Sequence, residues 1–595
     1  MSNPGYQQRR LMLLASVPQL AQFLPDEAPP LPEIKRLTAR EVAGHLRQTA
    51  DNHAALVLVL GWGDGSVPRA LMEDPLTRQK QINILVFAGE EDSLAHALAG
   101  DDQHRLNITG RVRMLPVRDR ASVRQALHEA FNRHEDLPAI GGLDVIADHP
   151  LTRAAMEVRS QLANDIYTQL SDRPQAYGND IPDSVTGLVN ASANAAILLP
   201  APTIGDMQGF FGDTPVISLA AGPSLKRHLP VLRELQHRCI LVACDAVLHG
   251  LLDAGIDPHF VTPLERVDSI IPMLTRAKES RSVYAGLPVC PPVVISDFGA
   301  ERAIGLYCGD RLYNWLHPES GVRINTGLST GTLSVTVAGA LGRGGVWLVG
   351  HDLSRDEQGT HWEGAAYAGN DWKRGYAVVN QDKPFGSGYE DRLIRGNDGG
   401  WVKSIAWWDR FRDDISLEVA TLKEAGRTVY NVNAHDRICA LIDHTVAAPL
   451  PDPASLPLLP KWKLPARDNR RLDDWKRRVR DLPVDGRAFT AHFTKLRDDL
   501  AAARRAPPAS WDLEAFARRI DLASGVSVGN QMAFSYFLRS ALHNCNAEMH
   551  LRRRTASAGR SGWNTLASMG SLCDALLLAM TKIQGVLEEI AHVHG

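Results

Sequence analysis

The alternation of apolar and polar positions divides the chain into three stretches of different period. In the first, strand-like apolar runs at 54–60, 82–88, 112–117 and 143–146 are separated by polar and helix-period segments. That pattern predicts a small α/β unit. In the second, apolar runs at 216–220, 240–244, 260–264, 293–296 and 346–349 interleave with helix-period stretches at 223–236, 246–254 and 330–341. Strands interleaved with helices predict a mostly parallel sheet. One more strand is expected at 429–432, followed by a short helix to about 443. Residues 446–467 carry six prolines (449, 451, 453, 457, 460 and 465) and cannot form one regular element. Beyond them the period is helical, at 469–481, 488–505, 511–523, 529–550 and 564–592, which predicts a C-terminal helical bundle. A chain of 595 residues is too long for one core. The expected organisation is an N-terminal α/β domain over 1–210, a Rossmann-like central domain over 211–447, a proline-rich linker over 448–467 and a helical domain over 468–595.

Composition narrows the partners. Hydrophobic content of 44% with 22% charged residues is that of an ordinary globular protein. A net charge of −3 excludes the chain as a whole from electrostatic nucleic-acid binding. The basic runs Lys476–Arg478 and Arg552–Arg554 sit in helical patterns beside acids and read as solvated faces. Seven scattered cysteines without a Cys-x-x-Cys fit reduced thiols, with no zinc or other metal site. Leu11–Val17 follows Arg9 and Arg10 but is short and broken by Pro18, so it reads as an amphipathic segment and not a leader. No apolar run is expected to reach the length of a membrane span, and the expected location is the cytoplasm.

The candidate chemistry lies at the ends of the central strands. The run 216–220 leads into Gly222, Pro223, Ser224 and Leu225, a strand, a tight turn and a helix start. In an open α/β sheet this turn lies at the carboxyl edge, where ligands bind. Its N–H groups and positive helix end suit an anion such as a phosphate; it also reads as a plain strand–helix connection. Asp245 ends the next strand, placed for a ribose, for a base, or simply to cap the following helix. Glu265 follows the third strand. Asn325, Ser329, Thr330 and Gly331 form a second Ser/Thr/Gly-rich helix start, suited to an anion or to ordinary capping. His351 and Asp352 end a further strand and His361 follows, with histidine the usual base near neutral pH. Gly61–Ser66, with Glu90 and Glu91, forms a weaker nucleotide-like glycine turn, of a kind that is frequent in sequences. Trp401, Trp407 and Trp408 read as core or lid anchors.

Taken in order and spacing, Ala220–Leu225, Asp245, Leu251–Pro258, Phe260–Glu265, Asn325–Gly331, Gly350–Leu353 and Gly359–His361 resemble the motility accessory factor (Maf) family. The central region of that family is also described as 6-hydroxymethylpterin-diphosphokinase-like. The resemblance covers roughly residues 50–445 and is strongest from 215 to 365. It implies a sialyltransferase-like central fold in an inverting protein O-glycosyltransferase, with no tightly bound cofactor. The donor would be a CMP-activated nonulosonic acid of pseudaminic or legionaminic type, and the acceptor a Ser or Thr of flagellin. Gly222, Pro223, Ser224, Leu225, Asp245, Glu265, Asn325, Ser329, Thr330 and Gly331 would bind the donor, and His351, Asp352 and His361 would serve catalysis. Position 265 is Glu where the resemblance leads one to expect Asp, and 351 is His where Gln is more usual. An ATP-dependent pterin diphosphokinase and a non-catalytic flagellin-binding chaperone are the alternatives.

Overall fold

The computed structural model describes residues 181–309, 311–318, 322–355, 361–366, 391–510, 512–521, 525–536 and 561–594, with residue 538 and short pieces before 181. Pro25–Pro32, Gly61–Ser66, Glu90, Glu91, Gly359, Cys545 and Arg552–Arg554 lie outside the described residues. The chain forms two compact units, one of 1–178, 491–523 and 538–578, the other of 179–490, 524–537 and 579–595.

The first unit holds β1 (Leu56–Leu60), β2 (Asn83–Ala88), β3 (Val112–Pro116) and β4 (Leu143–Ala147), in a parallel sheet of order β3-β2-β1-β4. Val57 and Val59 are fully buried, as an apolar run in a parallel sheet requires.

The second unit is an α/β domain around an eight-stranded parallel sheet. Its strands are β5 (Val216–Leu219), β6 (Ile240–Cys244), β7 (Phe260–Thr262), β8 (Val283–Gly286), β9 (Ala303–Gly305), β10 (Val346–Val349), β13 (Val429–Asn431) and β14 (Val446–Ala447). Their order is β14-β13-β10-β5-β6-β7-β8-β9. The chain runs outward from β5 to β9, then returns to place β10 on the other side of β5. The topological switch point therefore lies between β5 and β10, where open α/β sheets bind ligands at their carboxyl ends. A hairpin of β11 (Asp391–Arg395) and β12 (Trp401–Ile405) follows β10.

Helices of both units complete the structure: α1 (Ile181–Leu198), α2 (Leu225–Leu235), α3 (Leu248–Asp253), α4 (Ile271–Leu274), α5 (Pro292–Phe298), α6 (Arg311–Leu316), α7 (Thr330–Leu341), α8 (Ala406–Glu424), α9 (Arg470–Val479), α10 (Leu482–Ala503), α11 (Leu513–Asp521) and α12 (Ser561–His594). α7 is almost wholly buried and packs on β5, β6 and β7. Its run of Gly, Ser, Thr, Ala and Val has no polar face, as a helix enclosed on all sides requires.

Two expectations fail for local reasons. Residues 293–296 form part of α5, not a strand. Pro292 suits the first helical turn, and Val294, Ile295 and Phe298 point into one core with Tyr284, so packing overrides the strand propensity of the Val-Val-Ile run. The strand at this place in the sheet is β8, with β9 beyond it, and both are too short to stand out. No helix lies between β13 and β14. The side chains of Asn431 and Asp436 accept from the N–H groups of Asn433 (2.9 Å) and Ile438 (3.1 Å) and hold turns instead.

The proline-rich segment is ordered against the second unit. Trp462 stacks on Phe260 (5.7 Å between ring centres, 12° between planes) and meets Phe211 edge-on at 5.1 Å. Arg478, expected on a solvated face, donates to the carbonyls of Trp315 (2.9 Å) and Leu316 (3.1 Å). Thr565–Val593 of α12, contrary to expectation, is long and apolar enough to cross a membrane (mean hydropathy 1.4), and half of it is buried in the protein, as in a core helix.

α1 closes the sheet by a polar clasp. Asn194 is buried and donates to the carbonyls of Pro288 (2.9 Å) and Cys290 (2.7 Å). Asn194→Ala leaves both carbonyls without donors and should cost about 2–4 kcal/mol, read as a lowered urea midpoint. An unchanged midpoint would show that the clasp contributes nothing.

Candidate active site at the carboxyl edge of the central sheet

Beyond β5 and β10 the two chains stay zipped together. Ala220 N–H donates to Val349 O (2.9 Å), and Gly222 N–H to Gly350 O (2.8 Å). Asp352 then folds back over the turn. Its Oδ2 accepts from Ser224 N–H at 2.7 Å, and its Oδ1 accepts from the Ser224 hydroxyl. Asn433, at the end of β13, donates from Nδ2 to Ser224 Oγ (2.6 Å) and Asp352 Oδ1 (3.4 Å). Ser224, Asp352 and Asn433 are all buried.

This arrangement differs from the expected phosphate cradle. The anion on the Gly222–Ser224 helix start is the protein's own Asp352. A Cβ on Gly222 would stand 2.5 Å from Gly350 O and 2.6 Å from Asp352 Oδ2, so the glycine admits these groups and not an external phosphate. Leu225 is fully buried in the core, and Pro223 is half-buried. Asp352, expected among the catalytic groups, has both oxygens engaged inside the protein. Burial raises its carboxyl above the ordinary range, and the Ser224 hydrogen bonds oppose that rise. Asn433 belongs to no motif, and its only signal is its place just past a strand.

His351 and Asp352 sit between two left-handed residues, Gly350 (φ 74°) and Leu353 (φ 51°). A leucine in that region is uncommon and marks local strain. The strained turn aims His351 inward at a relay of hydroxyls. Ser334 Oγ donates to Gly331 O (2.8 Å), which uses its one proton. The contact between Ser218 Oγ and Ser334 Oγ (2.7 Å) must then be donated by Ser218. Ser218 has no proton left, so its 3.0 Å contact with His351 Nε2 is donated by the ring. The relay thus fixes the Nε2–H tautomer and leaves the lone pair on Nδ1. That atom faces Gly331, 3.8 Å from where a Cβ would be. Burial lowers the His351 pKa to about 4, so the ring is neutral at physiological pH.

The second helix start is built differently from the first. Ser329 caps α7, its Oγ accepting from Thr332 N–H (3.0 Å), so the capping role holds for this residue. Asn325 Oδ1 accepts from Gly327 N–H (3.1 Å) and shapes the approach. The N–H groups of Thr330 and Gly331 find no partner among the described residues. One carboxyl group meets the Thr330 side chain, and a second acts on the first through its charge. Asp245 is buried at the end of β6, in contact with the Thr330 side chain, and burial raises it to about 6. Glu265 lies past β7 and reaches solvent; the protein around it raises its carboxyl, offset by Arg266. Thr262 on β7 donates to Thr330 O at 3.5 Å, tying the helix start to the strand end.

His361 precedes Trp362, whose N–H donates to Ala221 O (2.8 Å) in the turn after β5. His361 meets the ring of Trp408 edge-on at 6.2 Å, and burial lowers its pKa to about 4. Trp407 lies against Phe411, whereas Trp401 is exposed, with Arg395 over its ring at 4.8 Å. Among the described residues no three His, Cys, Asp or Glu side chains converge to hold a metal ion.

A parallel sheet with a switch point, an open helix start and raised carboxyl groups at its carboxyl edge defines a Rossmann-like α/β protein with a candidate ligand site. Residues 190–358 match the family described as 6-hydroxymethylpterin diphosphokinase MptE-like. In structure the chain is similar to a MAf glycosyltransferase from Magnetospirillum magneticum AMB-1, with a TM-score of 0.55 at 17% identity, over 99% of this chain and 89% of that one. No curated protein matches it in sequence. The resemblance expected from the motifs is thereby borne out, in the central domain by the family match and along the chain by the fold.

Asp245 gives a pH test. Its carboxyl binds a proton more tightly in the folded protein than at its ordinary value of 3.8. The resulting stabilisation is complete below that value and is lost as pH rises through about 6. Asp245→Asn should therefore stabilise the protein at pH 8, by up to roughly 3 kcal/mol, and change little at pH 4. Chemical denaturation at both pH values reads the difference, and an equal effect at both would contradict the buried-acid assignment.

Proposed function

We propose that the protein is a glycosyltransferase that uses a nucleotide-activated sugar. In this reading the donor is a CMP-activated nonulosonic acid and the acceptor a Ser or Thr hydroxyl of flagellin, modified in the cytoplasm in support of flagellum assembly and motility. The observation that carries the reading is the open start of α7, with two N–H groups that have no partner among the described residues, beside Asp245 and His351. The fold similarity to a MAf glycosyltransferase supports it.

The donor phosphate lies on the N–H groups of Thr330 and Gly331, at the positive end of α7. Asp245 and Glu265 hold the ribose or the cytosine. Gly222, Pro223 and Ser224 shape the cleft through Asp352 instead of touching the phosphate. The anomeric carbon of a nonulosonic acid is tertiary, so the transition state has oxocarbenium character. The leaving group is a phosphate monoester, a weak base, and fixed N–H donors suffice to stabilise its charge. The acceptor oxygen bonds to the anomeric carbon as the bond to phosphate breaks. The hydroxyl proton passes to His351 Nδ1, the nitrogen left bare by the Ser218–Ser334 relay. One displacement gives inversion, and CMP leaves. His361 is the second candidate for the base.

The family description favours a second reading, a pterin diphosphokinase. That reaction uses ATP with magnesium. Asp352, one of the carboxylates that reading would use, is engaged inside the protein by Ser224 and Asn433. A flagellin-binding chaperone would bind neither nucleotide. Calorimetry with CMP and with ATP separates the three readings, and CMP binding without ATP binding is expected.

Two variants test the roles. A Cβ on Gly331 meets only ordinary contacts, at 3.6 Å from Ser329 Oγ and 3.8 Å from His351. Gly331→Ala should keep its melting temperature and weaken CMP binding about tenfold, by crowding one N–H donor. Undiminished binding would remove the phosphate from α7. His351→Gln keeps the donor to Ser218 but has no basic nitrogen. It should lose about 100-fold or more in kcat for flagellin modification, read by intact mass, with CMP affinity unchanged. Full activity in that variant would move the base to His361.

A further inference from the structure

At the amino edge of the central sheet, opposite the candidate active site, lies a cavity of about 1200 Å³. It opens between the amino ends of β6 to β9 and the proline-rich segment 458–467, which crosses it as a strap. The strap is fixed at three places. Leu459 N–H donates to His237 O (2.8 Å), Trp462 stacks on Phe260, and the Arg467 guanidinium donates to the carbonyls of Ile197 (2.7 Å) and Ala300.

Between those points the chain belongs to no helix, turn or sheet, and the backbone N–H groups of Lys461 to Leu464 have no partner among the described residues. Exposure alternates along it as along an extended strand, with Lys461 and Lys463 on the face opposite Trp462. Both lysines are exposed, Trp462 is half-buried, and no acid pairs with either lysine among the described residues. Across the cavity Arg281 adds an 87% exposed guanidinium, held at one end by Asp257 (3.1 Å). Of the two lining acids, Asp257 is thus neutralised, leaving Glu301 against several cations.

An anchored segment with strand-like alternation and unpaired backbone groups is a template for strand addition. We propose that this strap binds an extended acidic segment of a partner protein, which pairs with the backbone of Lys461–Leu464 and sets acids at alternate positions against Lys461 and Lys463. Cross-strand pairs of opposite charge stabilise such an alignment. Anchoring by Trp462 means that the strap is ordered before the partner arrives, which lowers the entropic cost of binding.

The test is fluorescence anisotropy on the full chain with a labelled ten-residue peptide of alternating Glu and Val. The acidic peptide should bind, a Lys/Val peptide should not, and added salt should weaken binding. The Lys461→Glu, Lys463→Glu double variant should lose affinity about tenfold or more, with an unchanged melting temperature because both side chains are exposed. If it unfolds, the Lys461→Gln, Lys463→Gln pair repeats the measurement. Methylating alternate peptide amides should abolish binding, and excess CMP should leave it unaltered. Equal binding of the two peptides, an unchanged affinity in the double variant, indifference to amide methylation, or displacement by a single-stranded oligonucleotide would each overturn the proposal. The outcome is independent of whether the opposite edge transfers sugars.

Discussion

The hydrogen bonds that Asp352 accepts from Ser224 join the turn after β5 to the end of β10, and Asn433 brings in the end of β13. Three crossovers of one parallel sheet are thereby held in register at their carboxyl ends. Burying a carboxylate costs several kcal/mol unless it is fully hydrogen-bonded, and here the N–H of a helix start, a hydroxyl and an amide surround it. The rest of the edge follows from that lock. The crevice at the switch point is closed by Gly222 and Gly350, which is why the proposed phosphate site is the neighbouring helix start at Ser329–Gly331.

The two helix starts show how similar sequences acquire different roles. Both offer a Ser and a Gly ahead of an apolar run. At Ser224 the hydroxyl and N–H turn inward to Asp352. At Ser329 the hydroxyl caps its own helix, and the next two N–H groups have no partner among the described residues. Local sequence cannot decide between these outcomes, because the deciding group is 128 residues away in the first case. The tautomer of His351 has the same character. It is set by Ser218 on β5 and Ser334 on α7, neither of which stands out in the sequence.

Much of the fold was legible because parallel strands buried on both faces are short apolar runs. Val216–Leu219, Ile240–Cys244 and Val346–Val349 fall where the pattern put them, and α7 begins and ends as expected. What the pattern missed was short or decided by context. Ala303–Gly305 is three residues long, and Pro292–Phe298 reads as a strand until its proline start and its packing on Tyr284 are considered. The proline-rich segment was legible as irregular, but not as an ordered strap, because Trp462 finds Phe260 only in three dimensions. For the site, the strand-end residues were legible as a set, and the division between those that bind each other and those that face the cleft was not.

The central claim is that Asp352 occupies one helix start and so assigns the donor phosphate to the other. A crystal structure with CMP bound tests it directly. The account predicts phosphate density within hydrogen-bonding distance of the Thr330 and Gly331 N–H groups, with Asp352 still on Ser224. Density on the Ser224 N–H, with Asp352 displaced, would contradict it.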